Sequence, residues 1–403
     1  MNINAEVVSS LREKYGEAFY LLDSVQFKQN YVELRKAFTD IYPRFNIAYS
    51  FKTNYIPDLC HIVKDMGGYA EVVSEMELEL AYRVGFPVEK IVWNGPIKTE
   101  EAEEKFLLNG GVPHIDGLEE AAFVVSVAKK HSGKAFNVGL RCNFDVNDGV
   151  LSRFGFDIDG HDINKALSMF NEQPNIHLKT IHCHFAKRHI DFWPARAKGI
   201  CDFVKRTGII PDKIDIGGGL FGKMAPSLKE QFPYDIPSYE DYAKAAATEF
   251  KNSFADIDNP PELVIEPGSA LVGDCMKFVG TVKTIKCVRG KYIATVLGSQ
   301  KNISMTGVNP PAEVIAMGGQ QAKYQELDFV GFTCIEGDSL YRGYNGTLAV
   351  GDALVISNCG SYSIVMKPPF ILPNFPILDI CGEEVKVIKR KETFEDVFHT
   401  YNL

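Results

Sequence analysis

Eight short apolar runs alternate with segments of helical periodicity through the first two thirds of the chain, and this alternation limits the possible folds most. The runs are 45–51, 69–74, 91–94, 114–116, 136–142, 178–185, 213–216 and 262–265. Strands this apolar are typical of a parallel sheet that is buried on both faces. Eight β/α units in roughly 230 residues predict a (β/α)8 TIM barrel, with an open doubly wound sheet as the alternative.

The alternation stops near Gly268, and a different pattern follows. Strand-like runs at 277–288, 291–297, 347–357 and 384–389 are separated by turn signals, and helical periods are nearly absent. A chain of 403 residues has room for two domains. We therefore predict a barrel over residues 26–268 and a mostly-β domain that contains residues 269–403.

Composition excludes several classes of protein. A net charge of −9 without any Lys/Arg run predicts no nucleic-acid binding. No apolar stretch approaches a membrane span, and the N-terminal segment carries early charges in place of the apolar core of a signal peptide. The nine cysteines contain no CxxC pair, which predicts free thiols in a reducing compartment, the cytoplasm.

Residues of chemical interest follow the predicted strands. In parallel α/β folds, functional side chains lie at the carboxyl ends of the strands. The residues found there are Lys52, Ser74, Glu75, Asn94, Arg141, His182, His184, Gly217–Gly219 and Glu266. A lysine, an arginine, a histidine, a triple glycine and a glutamate are therefore expected to share one rim of the barrel.

Lys52 leaves a strand that should be buried. Most lysines are simply solvated, but a desolvated lysine becomes a nucleophilic amine suited to Schiff-base chemistry. Glu266 is a buried acid at a strand end, for which a structural ion pair is the alternative. His182 and His184 lie on one face of a strand. Two ligands are too few for a metal site, so a packed or cofactor-stacking histidine is favoured.

The triple glycine Gly217–Gly219 offers N–H groups that can form a nest for a phosphate, and a tight turn is the alternative. The run 217–223 also fits the spacing of a Walker A loop. However, Met224 stands where that loop needs a hydroxyl, and Pro226 stands where its helix would run.

Together these residues describe a site for a phosphorylated cofactor that forms a Schiff base. The lysine binds an aldehyde, the glycines hold a phosphate, and the acid keeps a ring nitrogen protonated. Pyridoxal 5'-phosphate meets all three requirements. No metal is predicted.

The motifs resemble those of the fold-type III pyridoxal-phosphate decarboxylases, the family of diaminopimelate and ornithine decarboxylases, from about residue 45 to about 365. The matching segments are 49–54 around Lys52, 71–74 with Glu77, Asn94-Gly95 with Lys98-Thr99, Asp116, Arg141, 153–155, 182–184, 217–219, 266–268, 331–338 around Cys334 and 360–362. No single motif is decisive, but their common order along the chain identifies the family.

The resemblance implies a barrel of the alanine-racemase type followed by a β domain, with residues 1–25 joining the latter. It also implies a head-to-tail homodimer with shared active sites. Lys52 would hold the cofactor, His184 would stack on its ring, Glu266 would hold the ring nitrogen, and Cys334 would come from the partner subunit. The implied cofactor-binding residues are Lys52, Arg141, His184, Gly217, Gly218, Gly219, Glu266, Gly268, Ser269 and Tyr362.

The implied reaction is the decarboxylation of a small amino-acid substrate. The substrate amine displaces Lys52, CO₂ leaves, and Cys334 or a neighbour returns a proton to the α-carbon. A racemase of the same fold is one alternative, although such racemases generally use an arginine at the ring nitrogen where this chain has Glu266. A non-catalytic cofactor carrier is another, although carriers are usually a barrel alone.

Several positions depart from the family pattern. Ser269 replaces the arginine of Glu-Pro-Gly-Arg, and the stretch 309–313 lacks the segment that takes the distal carboxylate of diaminopimelate. Ile335 stands where the family has an acid for the distal amine, and Glu336 comes one residue later. We therefore expect a different amino acid or amino-acid conjugate as substrate, with diaminopimelate as the alternative. The candidate substrate contacts are Lys187, Arg188, Cys334 and Glu336, with Lys323 and Arg342 as further candidates.

Overall fold

The computed structural model describes residues 3–304, 308–381 and 384–403. The chain divides into two compact units. The barrel unit comprises Asn30–Phe221 and Pro237–Ala270, and the β unit comprises Met1–Gln29, Gly222–Ile236 and Leu271–Leu403. The grouping of residues 222–236 with the β unit is a feature that the sequence pattern did not predict.

Eight parallel strands of the barrel unit close into a barrel. Strand β1 (Phe19–Leu22) belongs to the β unit, and the barrel unit contains β2 Phe45–Ser50, β3 Tyr69–Val72, β4 Ile91–Trp93, β5 Val112–Ile115, β6 Phe136–Asn143, β7 Phe156–Asp157, β8 Ile176–Cys183, β9 Lys213–Asp215 and β10 Glu262–Ile265. The sheet order is β5-β4-β3-β2-β10-β9-β8-β6, and β5 also pairs with β6, with the short β7 beside β6. The (β/α)8 barrel is confirmed, and the open sheet is wrong.

Helices follow the barrel strands, as the alternation predicts. The helices of the chain are α1 Ala5–Tyr15, α2 Ser24–Thr39, α3 Pro57–Asp65, α4 Glu75–Val84, α5 Glu100–Leu108, α6 Leu118–Lys130, α7 His161–Asn171, α8 Phe192–Thr207, α9 Pro226–Lys229, α10 Tyr239–Ser253, α11 Ser269–Val272, α12 Gln300–Ile303 and α13 Phe394–Phe398. Short 3₁₀ helices lie at Phe51–Thr53, Val88–Lys90 and Gly273–Cys275.

Local sequence explains where these helices begin. Helix α4 starts after Ser74, whose hydroxyl accepts a hydrogen bond from the N–H of Glu77. The carboxylate of Glu77 in turn accepts from the N–H of Val73 at 2.8 Å. A side-chain cap of this kind satisfies N–H groups that have no partner inside the helix. The cap fixes the β3–α4 connection at the carboxyl end of a barrel strand, which is the end where the functional residues are expected.

The β unit is built on a nine-stranded mixed sheet. Besides β1, its strands are β11 Met276–Val288, β12 Lys291–Val296, β13 Ala312–Ile315, β14 Ala322–Val330, β15 Ser339–Leu348, β16 Ala353–Ile356, β17 Ile377–Asp379 and β18 Lys386–Lys389. The order is β15-β14-β12-β11-β1-β17-β18, and β16 pairs with β11 and β13. Strand β1 therefore joins this sheet through both of its edges, antiparallel to β11 and parallel to β17.

The core of the β unit forms between its sheet and helix α1. Val8 and Leu11 of α1 pack in one cluster with Phe19, Val279 and Leu378 from three strands. Within the described residues, every helix is too short or too polar to cross a lipid bilayer.

Candidate active site

Lys52 lies in the short helix Phe51–Thr53, directly after β2. Its ammonium group contacts both carboxylate oxygens of Glu71, at 2.7 and 2.5 Å. The strand register pairs Ser50 with Glu71, and the Ser50 hydroxyl donates to the same carboxylate at 2.6 Å. The side chain of Glu71 is fully buried, whereas 35% of the Lys52 side chain is exposed. The lysine is therefore held by a buried anion and remains accessible to a ligand.

Asn94, which follows β4, connects two buried carboxylates. Its amide Nδ2 donates to Glu71 at 3.1 Å and to Glu266 at 2.5 Å. Its Oδ1 lies 2.7 Å from His114 Nδ1, which must carry a proton because an amide oxygen only accepts. One amide thus separates two like charges and orients both, and it brings Lys52 and Glu266 into a single hydrogen-bonded network.

Two histidines of the β8 strand end lie close to Glu266. The Nδ1 atom of His184 accepts a hydrogen bond from the N–H of Gly218 at 2.9 Å. Burial lowers the pKa of His184 well below its usual value, so the ring is neutral with its proton on Nε2. Burial likewise lowers the pKa of His182, whose Nε2 lies 3.3 Å from Glu266. The contact between His182 and Glu266 is therefore a polar contact of a neutral ring, not an ion pair.

The glycine loop after β9 is shaped from inside the barrel. Gly217 and Gly219 adopt positive φ angles of 71° and 87°, which favour glycine. The N–H of Gly217 donates to Asp215 at 2.8 Å and that of Gly218 donates to His184. The N–H groups of Gly217 and Gly218 are therefore engaged within the protein, as is that of Phe221, which donates to the Tyr242 hydroxyl at 3.3 Å. The phosphate nest remains a prediction, for which Gly219 is the candidate among the three glycines. The helix that follows this loop, α9, begins only at Pro226 and has four residues, too short for the helix that a Walker A loop opens, so the Walker A alternative is wrong.

Arg196 of α8 supports the same loop. The side chain is fully buried and donates to the carbonyl oxygens of Gly218 at 2.6 Å and Phe185 at 3.1 Å, with longer contacts to Ile216 and Lys187. Carbonyl oxygens at the ends of β8 and β9 are thereby tied together by one guanidinium. Sequence reasoning missed Arg196, although a charged residue on the apolar face of a helix, beside Trp193 and Ala197, was a usable signal.

Arg141 and the candidate substrate residues occupy different parts of the barrel rim. Arg141 is buried on β6, 3.3 Å from Asp116 and stacked over Phe154. Arg188 donates to the Ser269 hydroxyl at 3.3 Å, and its neighbour Lys187 is exposed.

Gly268 also belongs to this rim. A Cβ atom at Gly268 would collide with the Thr53 side chain next to Lys52. The sequence-predicted residues from Lys52 to Ser269 thus gather at the carboxyl ends of the barrel strands.

The predicted site residues of the β unit lie in two loops and on two strands. Cys334 and Glu336 are both exposed in the connection between β14 and β15. Buried Asp338 organises this loop, because its carboxylate accepts from Thr333 and Ser299. The other predicted residues of this unit are Tyr362, half-buried with a φ of 60°, and Lys323 and Arg342, both exposed on strands.

One further cluster was not predicted as a unit. Asp215 lies at the end of β9, and its register partner on β8 is His182. A ring nitrogen of His182 and one carboxyl oxygen each of Asp215 and Glu266 all lie within 4.8 Å of one another. In the sequence, Asp215 stands inside the predicted strand 213–216 and gives no signal of its own. A carboxylate that points into a barrel leaves no distinctive spacing in the sequence.

The residues at this rim fit pyridoxal 5'-phosphate. The accessible amine can bind the aldehyde, and the oriented buried carboxylate can hold the ring nitrogen. The tight glycine loop can hold the phosphate. The loop leaves no room for larger residues. A Cβ at Gly217 would come within 2.6 Å of His184, and a Cβ at Gly218 would collide with the carbonyl oxygen of Glu266. A (β/α)8 barrel with this site defines the class of pyridoxal-phosphate-dependent barrel enzymes.

Comparison with known proteins narrows the class to a family. The family model described as pyridoxal-dependent decarboxylase, pyridoxal binding domain, matches residues 27–273. The chain therefore belongs to the pyridoxal-dependent decarboxylases, and it is a carboxy-lyase that uses pyridoxal phosphate.

Curated relatives and solved structures extend over both units. Diaminopimelate decarboxylase from Methanocaldococcus jannaschii is 27% identical over 96% of this chain and 91% of its own length. The enzyme of the same name from Archaeoglobus fulgidus is 25% identical over 100% and 97%. A crystal structure of the M. jannaschii enzyme has a TM-score of 0.86 at 25% identity, covering 98% of this chain and 94% of that one. A lysine/ornithine decarboxylase from Vibrio vulnificus, at 17% identity and a TM-score of 0.71, shares the fold over 91% and 94%.

Proposed function

We propose that the substrate of this decarboxylase is diaminopimelate. The relatives that match nearly the whole chain carry this proposal, because they are named diaminopimelate decarboxylases. They support diaminopimelate more strongly than they support the expectation of another amino acid. Removal of one carboxyl group from diaminopimelate leaves lysine.

Within this proposal, barrel residues prepare the cofactor site. When bound, pyridoxal phosphate supplies an aldehyde carbon and a ring that accepts electrons. Lys52 offers the amine, which Glu71 orients. Glu266, held by Asn94, keeps a proton on the ring nitrogen. The Arg188–Ser269 pair offers a guanidinium and a hydroxyl near the position where the family has an arginine, and a phosphate suits both.

Residues of the β unit would complete the chemistry from a second copy of the chain. We propose a homodimer in which Cys334 of each copy serves the other's site and returns a proton to the product carbon. The exposure of Cys334 on an ordered loop supports this role. All nine cysteines are free thiols rather than disulfides, which supports a reducing compartment such as the cytoplasm.

A second candidate substrate, an amino acid without a distal amine, is favoured by one observation. Ile335, next to Cys334, lines a cavity of about 240 Å³ in the β unit. The cavity is otherwise lined by Ser299, Lys301, Phe332, Thr333, Met366, Lys367, Pro368 and Phe370. Among these described residues the charged groups are two lysines and no carboxylate. Such a lining suits a carboxylate and leaves a distal ammonium unpaired.

Two matched substrates separate the candidates. Diaminopimelate and 2-aminopimelate differ only in the distal amine, so their kcat/KM values for CO₂ release report recognition of that group. We expect diaminopimelate to be preferred by about ten-thousandfold or more, the discrimination typical of a site that hydrogen-bonds the missing polar group. A preference for 2-aminopimelate would overturn the proposal and support the second candidate.

A further inference from the structure

We propose that Asp215 is a positioning residue that holds the glycine loop with one carboxyl oxygen and Glu266 with the other. Asp215 is 1% exposed at the end of β9. Its Oδ1 accepts from the N–H of Gly217 at 2.8 Å. Its Oδ2 is buried and has no conventional donor among the residues that the structure describes. A buried carboxyl oxygen without a donor is costly, which calls for a proton at that atom.

Glu266 is the group that such a proton would join to Asp215. Strand β10 lies beside β9, and the two carboxyl groups are close neighbours within the barrel. Two buried carboxyls at this separation cannot both be ionised without strong repulsion. Burial, followed by the proximity of Glu266, raises the pKa of Asp215 well above its usual value. One proton held between the two groups removes the repulsion and satisfies the orphaned oxygen.

The surroundings place that proton on Asp215. Glu266 already accepts a hydrogen bond from the Asn94 amide, whereas Oδ2 of Asp215 has no donor among the described residues. Asp215 accepts a single N–H, from Gly217, and its free oxygen can donate to Glu266 once protonated. The other titratable groups that face Asp215 are His182 and Cys183 on β8, Glu71 on β3 and Lys213 on β9 itself. Burial keeps His182 neutral, so it does not neutralise either carboxyl.

The arrangement couples the two ends of the cofactor site. By its hydrogen bond to Gly217, Asp215 fixes the position of the first residue of the glycine loop. By a hydrogen bond to Glu266 it would fix the orientation of the carboxylate that would hold the ring nitrogen. This inference rests on the proposed placement of the cofactor but not on the identity of the substrate. Its test therefore uses cofactor binding and the apoprotein, without any amino-acid substrate.

Asp215→Asn and Asp215→Ala separate positioning from packing. An asparagine can accept from Gly217 and donate to Glu266, as a protonated aspartic acid does, whereas alanine can do neither. In the full-length chain reconstituted with pyridoxal phosphate, we expect Asp215→Asn to keep the cofactor dissociation constant within about threefold of wild type. We expect Asp215→Ala to weaken it about tenfold or more and to move the pH midpoint of the cofactor absorbance by about one unit. Asp212→Asn, an exposed carboxyl three residues earlier, is the matched control.

Stability of the apoprotein gives an independent readout that needs no cofactor. A folded pKa above the unfolded value means that stability is lost as pH rises between the two. Asp215→Asn removes that loss, so its melting temperature should exceed that of wild type more at pH 8 than at pH 5. The proposal fails if Asp215→Asn is as impaired in cofactor binding as Asp215→Ala, or if the folded Asp215→Ala protein matches wild type. Wild-type protein that forms no cofactor band would instead count against the Lys52 assignment.

Discussion

The barrel unit and the β unit bring their site residues into place in different ways. In the barrel unit, Lys52, Glu71, Asn94 and Glu266 form one hydrogen-bonded network, most of it buried. In the β unit, the candidate proton donor Cys334 is exposed on a loop whose shape depends on buried Asp338. Pre-organised buried networks suit the binding of a permanent cofactor, because their orientation is established during folding.

An exposed loop suits a group that acts only when another molecule covers it. The family model covers residues 27–273 and so matches the barrel, while the relatives that match the whole chain include the β unit as well. We therefore expect substitution of the cofactor-contacting residues of the barrel to remove the cofactor, and substitution of Cys334 in the β unit to remove turnover while the cofactor stays.

The largest effect should come from Lys52→Ala. Loss of the amine removes the covalent attachment point, so activity should fall by about a thousandfold or more. The absorbance band that borohydride reduces should disappear with it. Lys64→Ala, a part-buried lysine of the same unit that lies outside the site, is the control and should keep both. An unchanged reducible band in Lys52→Ala would assign the cofactor to another lysine.

Cys334→Ala should separate turnover from cofactor binding. If the thiol returns the proton, kcat should fall by about a hundredfold, the lower range for general acid–base catalysis. The cofactor dissociation constant should stay unchanged, because no barrel contact is altered. Cys287→Ala replaces a second exposed cysteine of the same unit and should leave both quantities at wild-type values. A Cys334→Ala enzyme with full turnover would exclude the thiol as the donor.

The same contrast explains how much the sequence could predict. All eight barrel strands were anticipated because parallel strands buried on both faces are continuously apolar and alternate with helices. In the β unit, β14 was not anticipated. Its pairing with β15 shifts register several times, and Glu326 within it has a positive φ. Such bulges interrupt the two-residue period on which strand prediction depends.

The residues of the candidate site also divide into those that the sequence could predict and those that it could not. Lys52, His184 and Glu266 could be predicted because each directly follows a strand and carries distinctive chemistry. Asp215 and Arg196 could not, since their roles depend on atoms that only the closed barrel brings near: the N–H of Gly217 and the carbonyl of Gly218. Buried polar partners of this kind are set by tertiary contacts rather than by sequence spacing.

Glu77 should make the stability of the barrel unit fall as pH rises. Burial, with a contribution from Glu71, raises the pKa of Glu77 to about 7. The folded state therefore retains a proton that the unfolded state releases near pH 4.5, and about 3 kcal/mol of stability is lost as the pH rises between these values. Glu77→Gln can still accept from the N–H of Val73 but cannot titrate, so in denaturant unfolding its loss of stability between pH 5 and pH 8 should be smaller than that of wild type by most of this amount. Glu75→Gln, exposed on the same helix, should behave as wild type, and a pH dependence in Glu77→Gln as large as that of wild type would refute this origin.

Lys367 should give the β unit a pH dependence of the opposite sign, although the net effect of its substitution should be smaller. Burial lowers the pKa of Lys367 to about 8, against a smaller opposing effect of Glu392. Between this value and the ordinary pKa near 10.5 the unfolded state binds more protons, so stability rises with pH.

Lys367→Met removes the cost of charging a buried amine, but it also loses the hydrogen bond to Asn374 and the contact with the Phe375 ring. We therefore expect a net gain of only about 1 kcal/mol at pH 7, which becomes a net loss by about pH 10.5 because the charging cost is then gone while the lost contacts remain. Denaturant unfolding at the two pH values measures it, with exposed Lys391→Met as the control. A gain that is equal at both pH values would mean that packing, not charge, limits the stability of this part of the β unit.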